Sequence, residues 1–163
     1  ILFGNGDLEL TAFKVIHEPI EPALGYKFEY KGRSLVITGD TSYAQSVIDN
    51  SMGVDVLFHE AQANHMVAVI ENFALQNGAK LRAKLMADIK TYHTTLIEAA
   101  DIANKAGVKK LVFYHLTPAP SNYLTELMFV RGVDEVREDW LLVQDGTLVV
   151  LPVDSEEIMV TTM

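Results

Sequence analysis

Five residues of this chain could share one metal-assisted reaction. His17, Asp40, Glu60, His93 and His115 are of types that bind metals or move protons, and each stands at the edge of a stretch with strand or helix character. His17 closes the run Leu8–His17, and Asp40 follows Ser34–Thr38 and Gly39. His59 and Glu60 follow Val54–Phe58, and His115 follows Leu111–Tyr114. His93 stands just ahead of a helix that begins near Leu96. Histidine and aspartate suit zinc, and three or four such ligands leave a position for water. In layered α/β folds ligands bind beyond the strand ends, so strands that finish in such residues can converge on one point. Each residue also has an ordinary structural use. Asp40 after Gly39 is a good turn former, Glu60 can cap a helix start, and His17 and His115 can be satisfied core or surface histidines. His65 falls inside a helical stretch with no evident partner and is assigned no role. Five candidates at element ends together favour a site over five coincidences.

The elements that must position them read as follows. Leu8–His17 is rich in β-branched and aromatic residues and is expected as a strand broken by Pro19 and Pro22. Gly25–Tyr30 and Ser34–Thr38 form a hairpin around Lys31-Gly32. A short helix, Tyr43–Asn50, is expected with Thr41 or Ser42 as its N-cap. Val54–Phe58 and Leu111–Tyr114 are continuous apolar runs of buried-strand type and should lie centrally in the sheet. Ala61–Lys90 is helical in composition with a break at Asn77-Gly78. Thr94 or Thr95 caps an amphipathic helix, Leu96–Ala106, whose apolar stripe runs through Ile97, Ala100, Ile102 and Ala103 and which Gly107 terminates. Asn122–Val130 is a further helix. Trp140–Val143 and Thr147–Leu151 are expected as a hairpin on Asp145-Gly146. Alternating strands and helices argue for an α/β layered sheet, and the hairpins at both ends make it mixed. Helices should cover one face, and the five site residues should line one sheet edge.

Composition narrows the function. The 163 residues are 49% hydrophobic and 21% charged, which suits a single domain over 1–163 with a real core. No apolar run is long enough to span a membrane as a helix. The net charge is −9 and the sequence pI 4.9, so a broad nucleic-acid platform is disfavoured. The chain has no cysteine, which excludes disulfides, iron–sulfur clusters and thiolate zinc sites. It starts at Ile1 without a methionine or a leader pattern, so any targeting signal is expected upstream. The compartment, cytoplasmic or periplasmic, is left open.

Four pieces carry a family resemblance: HEPIEPALGYKFEYKGRSLVITGDT, DVLFHEA, HTTLIEAADIANKAGVKKLVFYHLTP and DGTLVVLP. In order and spacing the chain resembles the C-terminal half of metallo-β-lactamase-fold hydrolases, in the ribonuclease Z and arylsulfatase-like branch. The resemblance runs from about His17 to Pro118, with a weaker tail to Pro152. It implies half of an αββα sandwich, a mixed sheet with helices on the outer face. It implies zinc-dependent hydrolysis of a phosphodiester or sulfate ester by a hydroxide held between two ions about 3.5–4 Å apart, with manganese or iron as substitutes. On this pattern His17 is a metal ligand, Asp40 bridges the two ions and His115 binds the second. Glu60 and His93 are the carboxylate–imidazole pair beside the substrate, and His59 is not a ligand. The family's His-x-His-x-Asp-His motif is absent and is expected upstream of Ile1, so this chain alone should bind metal weakly. After His115 the chain reads LTPAPSNY where ribonuclease Z has a Ser-Arg-Tyr type segment. That favours a small anionic ester over tRNA, leaves nucleic acid as the less favoured partner, and calls for no membrane. A homodimer is compatible. Two competitors are a non-catalytic unit serving folding or dimer contact, and a thioester hydrolase of the same fold. Retention of all five residues speaks against the first, and the Glu60–His93 pair against the second.

Overall fold

The computed structural model describes residues 3–162. Four strands open the chain as an antiparallel meander: β1 (Phe3–Asn5), β2 (Leu8–His17), β3 (Ile20–Tyr30) and β4 (Arg33–Ile37). Helix α1 (Gln45–Asn50) leads to β5 (Val56–Gln62), which pairs with β4 in parallel. Helices α2 (Asn64–Gln76), α3 (Lys80–Ile89) and α4 (Leu96–Lys105) then cross over to β6 (Lys110–Thr117), parallel to β5. Helix α5 (Tyr123–Phe129) and a 3-10 turn (Val133–Glu135) lead to β7 (Trp140–Leu142), parallel to β6. The seven strands stand in chain order across one sheet, and β8 (Thr147–Val150) and β9 (Met159–Thr162) form a separate antiparallel pair. No helix among the described residues is long and apolar enough to cross a membrane.

Strand direction decides where the site can be. The chain reverses at β3 and again at β4, so β2, β4, β5 and β6 all run the same way. Their C-terminal ends, which carry His17, Asp40, Glu60 and His115, therefore lie at one end of the sheet.

The expected β3–β4 hairpin is present. Tyr30 pairs with Arg33, and Lys31 and Gly32 between them both have positive φ, 47° and 79°, as a two-residue turn of the primed type requires. Pro19 ends β2 as expected, whereas Pro22 does not keep the chain out of the sheet: β3 starts at Ile20, ahead of the expected Gly25. Glu18 and Pro19 make a two-residue turn between His17 and Ile20, and Pro22 sits at the register shift between Val15 and His17. Pairing with β4 begins only at Tyr26, so the missing N–H of Pro22 leaves no ladder bond unmade on that side. The expected cap of α1 is also different. Ala44 occupies the N-cap without a side-chain bond. Thr41 and Ser42 are engaged by the end of β2 instead: Ile16 N–H donates to Thr41 Oγ1 at 3.1 Å, and Ser42 N–H donates to Ile16 O at 2.8 Å.

The core lies between the sheet and α1 and α4. On α4 the buried stripe is Leu96, Ala99, Ala100, Ile102 and Ala103, while Ile97, expected in it, is 40% exposed. These pack on Phe13, Val36, Leu57, Leu111 and Phe113 from the strands. Burying Leu96 and Ile102 contributes about 2 kcal/mol each, and the alanines let the helix approach the sheet. Thr95 caps α4 in a capping box: Glu98 N–H donates to Thr95 Oγ1, and Thr95 N–H donates to Glu98 Oε2. Asn122 caps α5 in the same manner with Thr125.

The expected hairpin of residues 140–143 with 147–151 does not form. Trp140 and Leu142 pack against the core, with the Trp140 ring 5.9 Å from that of Phe113, and this burial draws β7 into the main sheet. Asp145-Gly146 still makes a turn, with Gly146 at φ 88°, but it links β7 to a β8 that pairs with β9 and not with β7.

The other end of the sheet is closed by Arg33. Its Nε donates to Asp55 Oδ2 at 3.0 Å, Nη1 to the carbonyls of Pro152 and Ser155, and Nη2 to that of Glu157. Lys109 Nζ reaches Asp55 Oδ1 at 3.0 Å. Burial raises the pKa of Asp55, but the bonds from Arg33, Ser34 and Lys109 outweigh it and hold the carboxyl below its ordinary value. Both partners are almost wholly buried. Removing Arg33 leaves the buried Asp55 with only Lys109 and the Ser34 N–H, and takes the donor from the carbonyls of Pro152, Ser155 and Glu157, so Arg33→Met should cost about 3 kcal/mol, read as a lowered urea midpoint. Because the Asp55 pKa is depressed, this contribution is present above the ordinary carboxylate pKa of about 3.9 and lost as pH falls through the lower folded value. An Arg33→Met variant as stable as the parent at pH 7 would exclude this role.

Candidate active site

Glu60 is the fixed point of the site. Its side chain is fully buried on β5, a cost that donors must offset; they converge on Oε1, while Oε2 has no partner among the described residues. Oε1 accepts from Thr41 N–H at 3.2 Å, from Thr94 N–H at 3.0 Å and from His93 Nδ1 at 3.0 Å. The two main-chain donors come from different loops, one following β4 and the other preceding α4. Thr94 Oγ1 ties those loops directly by donating to Thr41 O at 2.5 Å, and Gln62 N–H donates to Thr94 O at 2.8 Å.

His93 is thereby held with Nδ1 toward Glu60. Its ring stands between two others, 5.1 Å from that of His17 and 6.1 Å from that of His115. Burial pushes its pKa down, but the bond and charge of Glu60, with the charge of Asp40, more than offset this and leave it above the ordinary histidine value.

His17 ends β2, and its Nδ1 donates to Tyr92 O at 2.9 Å. A carbonyl only accepts, so Nδ1 is the donor and Nε2 is not used in this bond. That is the form in which an imidazole takes a metal, with its other nitrogen bonded to an acceptor. The Tyr92 ring stands edge-on to His17 at 5.1 Å. Gly39 carries Asp40 out of the sheet at φ 64°, where a side chain would meet Leu24 O at 2.7 Å. His115 lies not at a strand end but within β6, at a bulge. Glu60 pairs with Tyr114 and Ala61 with Leu116, so His115 is the unpaired extra residue, at φ 47°. The bulge turns its ring out to Asp40, with Nε2 3.4 Å from Oδ1. Beside it opens a cavity of about 500 Å³ lined by Tyr114, Leu116, Glu126, Leu142 and Gln144 among others.

The donor set of His17, Asp40 and His115, two imidazoles and a carboxylate, fits a divalent metal such as zinc. Among the described residues, no group of three or more His, Asp or Glu is arranged to hold an ion by itself. His93 and Glu60 bond each other. His65 lies outside the site, with Nε2 on Met128 O at 2.8 Å. His59, although next to Glu60, points to the helix side among core residues. Three participants were not assigned to the site from the sequence: Tyr92 accepts from His17 through its carbonyl, and Thr41 and Thr94 donate to Glu60 through main-chain N–H groups that any residue type except proline offers.

Residues 1–116 match the beta-lactamase superfamily domain. Over 103 residues, 63% of this chain, the sequence is 35% identical to the ribonuclease Z of Mycolicibacterium paratuberculosis, and that stretch is 33% of the relative. The chain thus spans about a third of the length of that curated relative. Among solved structures, the metallo-beta-lactamase fold protein YhfI from Bacillus subtilis superposes with a TM-score of 0.59 at 22% identity, over 87% of this chain and 49% of that one. The short form of human tRNase Z superposes with a TM-score of 0.50 at 26% identity, over 71% of this chain and 38% of that one.

The Glu60 contact gives His93 a measurable signature. A raised pKa means the pair stabilises the fold fully below the ordinary histidine value of about 6.5 and loses that contribution as pH rises through the folded value. Glu60→Gln removes the charge, so the His93 ring should titrate lower in NMR, and the stability gap between parent and variant should close toward alkaline pH. A parent His93 titrating at or below the ordinary value would contradict the assignment.

Proposed function

Because this chain belongs to the beta-lactamase superfamily, we propose that it carries one side of a metal-dependent phosphodiester hydrolase site. The observation that supports this most is the buried Glu60 holding His93 between His17 and His115. His17, Asp40 and His115 are the proposed ligands of a pair of divalent ions, zinc foremost, with manganese or iron as substitutes. When bound, such ions supply Lewis acidity and lower the pKa of water toward neutrality.

The remaining work falls to the protein. His93 is fixed through Nδ1, which leaves Nε2 as the atom that gives a proton to the departing oxygen. The raised pKa favours the protonated ring that such a donor needs. Glu60 does not reach the substrate. It orients the ring and balances its positive charge. The ester oxygen of a phosphodiester is a poor leaving group and needs such a proton, whereas a thioester does not. Similarity to a protein named ribonuclease Z supports an RNA phosphodiester. The net charge of −9 supports a small one, since an acidic surface repels a long phosphate backbone.

The test compares leaving groups in the full-length, metal-loaded protein. His93→Ala should lower turnover of an RNA dinucleotide by about 10²–10⁴-fold and of bis-nitrophenyl phosphate far less, with metal content unchanged. Equal losses on both substrates would remove His93 as the proton donor, and loss of metal would make it a ligand. Faster turnover of nitrophenyl sulfate than of either phosphodiester would move the activity to sulfate esters. Separately, Asp40→Ala should lower the metal content measured by elemental analysis, and full occupancy in that variant would exclude Asp40 as a ligand.

A further inference from the structure

We infer that His59 is a positioning residue that holds Glu60 in place through its main chain, an inference that rests on the proposed roles of Glu60 and His93. Strand β4 pairs with β5 only as far as Ile37 opposite Phe58, with one more bond from Thr38 N–H to Phe58 O at 3.1 Å. The chain then turns away at Gly39, while β5 continues to Gln62. In a strand the main-chain groups of alternate residues face the same neighbour. The N–H and C=O of Glu60, like the C=O of Phe58, therefore face the side that β4 has left.

Buried main-chain groups must be paired, and at Glu60 side chains replace the missing strand. Glu60 N–H donates to Thr38 Oγ1 at 3.3 Å, and Glu60 O accepts from His59 Nδ1 at 2.8 Å. The His59 ring is fully buried on the face of Leu57 and Ala61, and its Nε2 has no partner among the described residues. Among them its one hydrogen bond is the one to Glu60. Burial lowers its pKa and keeps it neutral, with the proton on Nδ1. For packing alone an apolar side chain would serve better there, because it would not bury an unmatched Nε2. What histidine adds is a donor placed at the carbonyl of Glu60, one bond along the chain from the Cα that carries the carboxylate. The three contacts at Oε1 depend on where that Cα stands.

The test uses isosteres in the full-length, metal-loaded protein. His59→Asn puts an amide N–H where Nδ1 is, His59→Gln puts one where Nε2 is, and His59→Leu provides neither. Turnover and KM are measured on an RNA dinucleotide and on bis-nitrophenyl phosphate, with metal content and thermal midpoint alongside. We expect His59→Leu and His59→Gln to lose about 10–100-fold in kcat on the dinucleotide, the range for groups that orient a working residue, and His59→Asn to recover most of it. KM, metal content and nitrophenyl turnover should change little. A folded His59→Leu with parental kcat would overturn the inference, as would His59→Asn falling as far as His59→Gln, or equal losses on both substrates. Should His59→Leu not fold, the comparison of Asn with Gln decides. His93→Ala is the control. If it loses nothing on the dinucleotide, the proposed function has failed. If it loses activity and the His59 variants do not, only the role of His59 has.

Discussion

The structure depends on one buried carboxylate. Glu60 is taken out of water in the middle of the fold, and the free-energy cost of doing so is offset only by donors that converge on it. Two of those donors are main-chain N–H groups from loops far apart in sequence, at Thr41 and Thr94. Satisfying Glu60 therefore fixes the relative positions of the turn that carries Asp40 and the segment that carries His93. The same group that orients the imidazole also assembles the loops around it. A change at Glu60 is for this reason both chemical and architectural, whereas a change at His93 leaves the two main-chain bonds intact.

Strain and irregularity gather at this end of the sheet for a physical reason. Regular strands alternate their side chains and cannot aim several at one point. Here each departure from regularity re-aims one residue. The register shift beside His17 ends β2, the positive φ of Gly39 turns Asp40 out, and the bulge at His115 rotates its ring toward Asp40. Away from these points the pairing of β3 with β4 and the start of the β5–β6 ladder run without interruption.

Much of this was legible in the sequence, and the part that was not has a common cause. Period and turn chemistry located β2 and the Lys31-Gly32 hairpin, and Thr94 or Thr95 marked the start of α4, with Thr95 the residue that caps it. The residue types at element ends picked out five positions, and the fold brings those five to one end of the sheet. Sequence patterning failed where tertiary packing outweighed local preference. Trp140 and Leu142 joined the main sheet because burial beside Phe113 exceeded what a local hairpin offers, and Thr41 left the α1 cap to bond Ile16. His115 looked like a strand terminus because a bulge has no sequence signature of its own. The main-chain donors to Glu60 left no trace, since a peptide N–H is the same whatever side chain it carries.

The two ends of the parallel strands do different work. Arg33, Asp55 and Lys109 gather where β4, β5 and β6 begin, and the imidazoles and carboxylates gather where they finish. A five-residue strand separates them by about 16 Å, beyond the range at which substitutions usually couple. Changes at the Arg33 end and changes at the Glu60 end are therefore free to accumulate independently. A lineage can retune the chemistry of one end while the reserve of stability at the other absorbs the damage, and the free energies of paired substitutions, one from each end, simply sum.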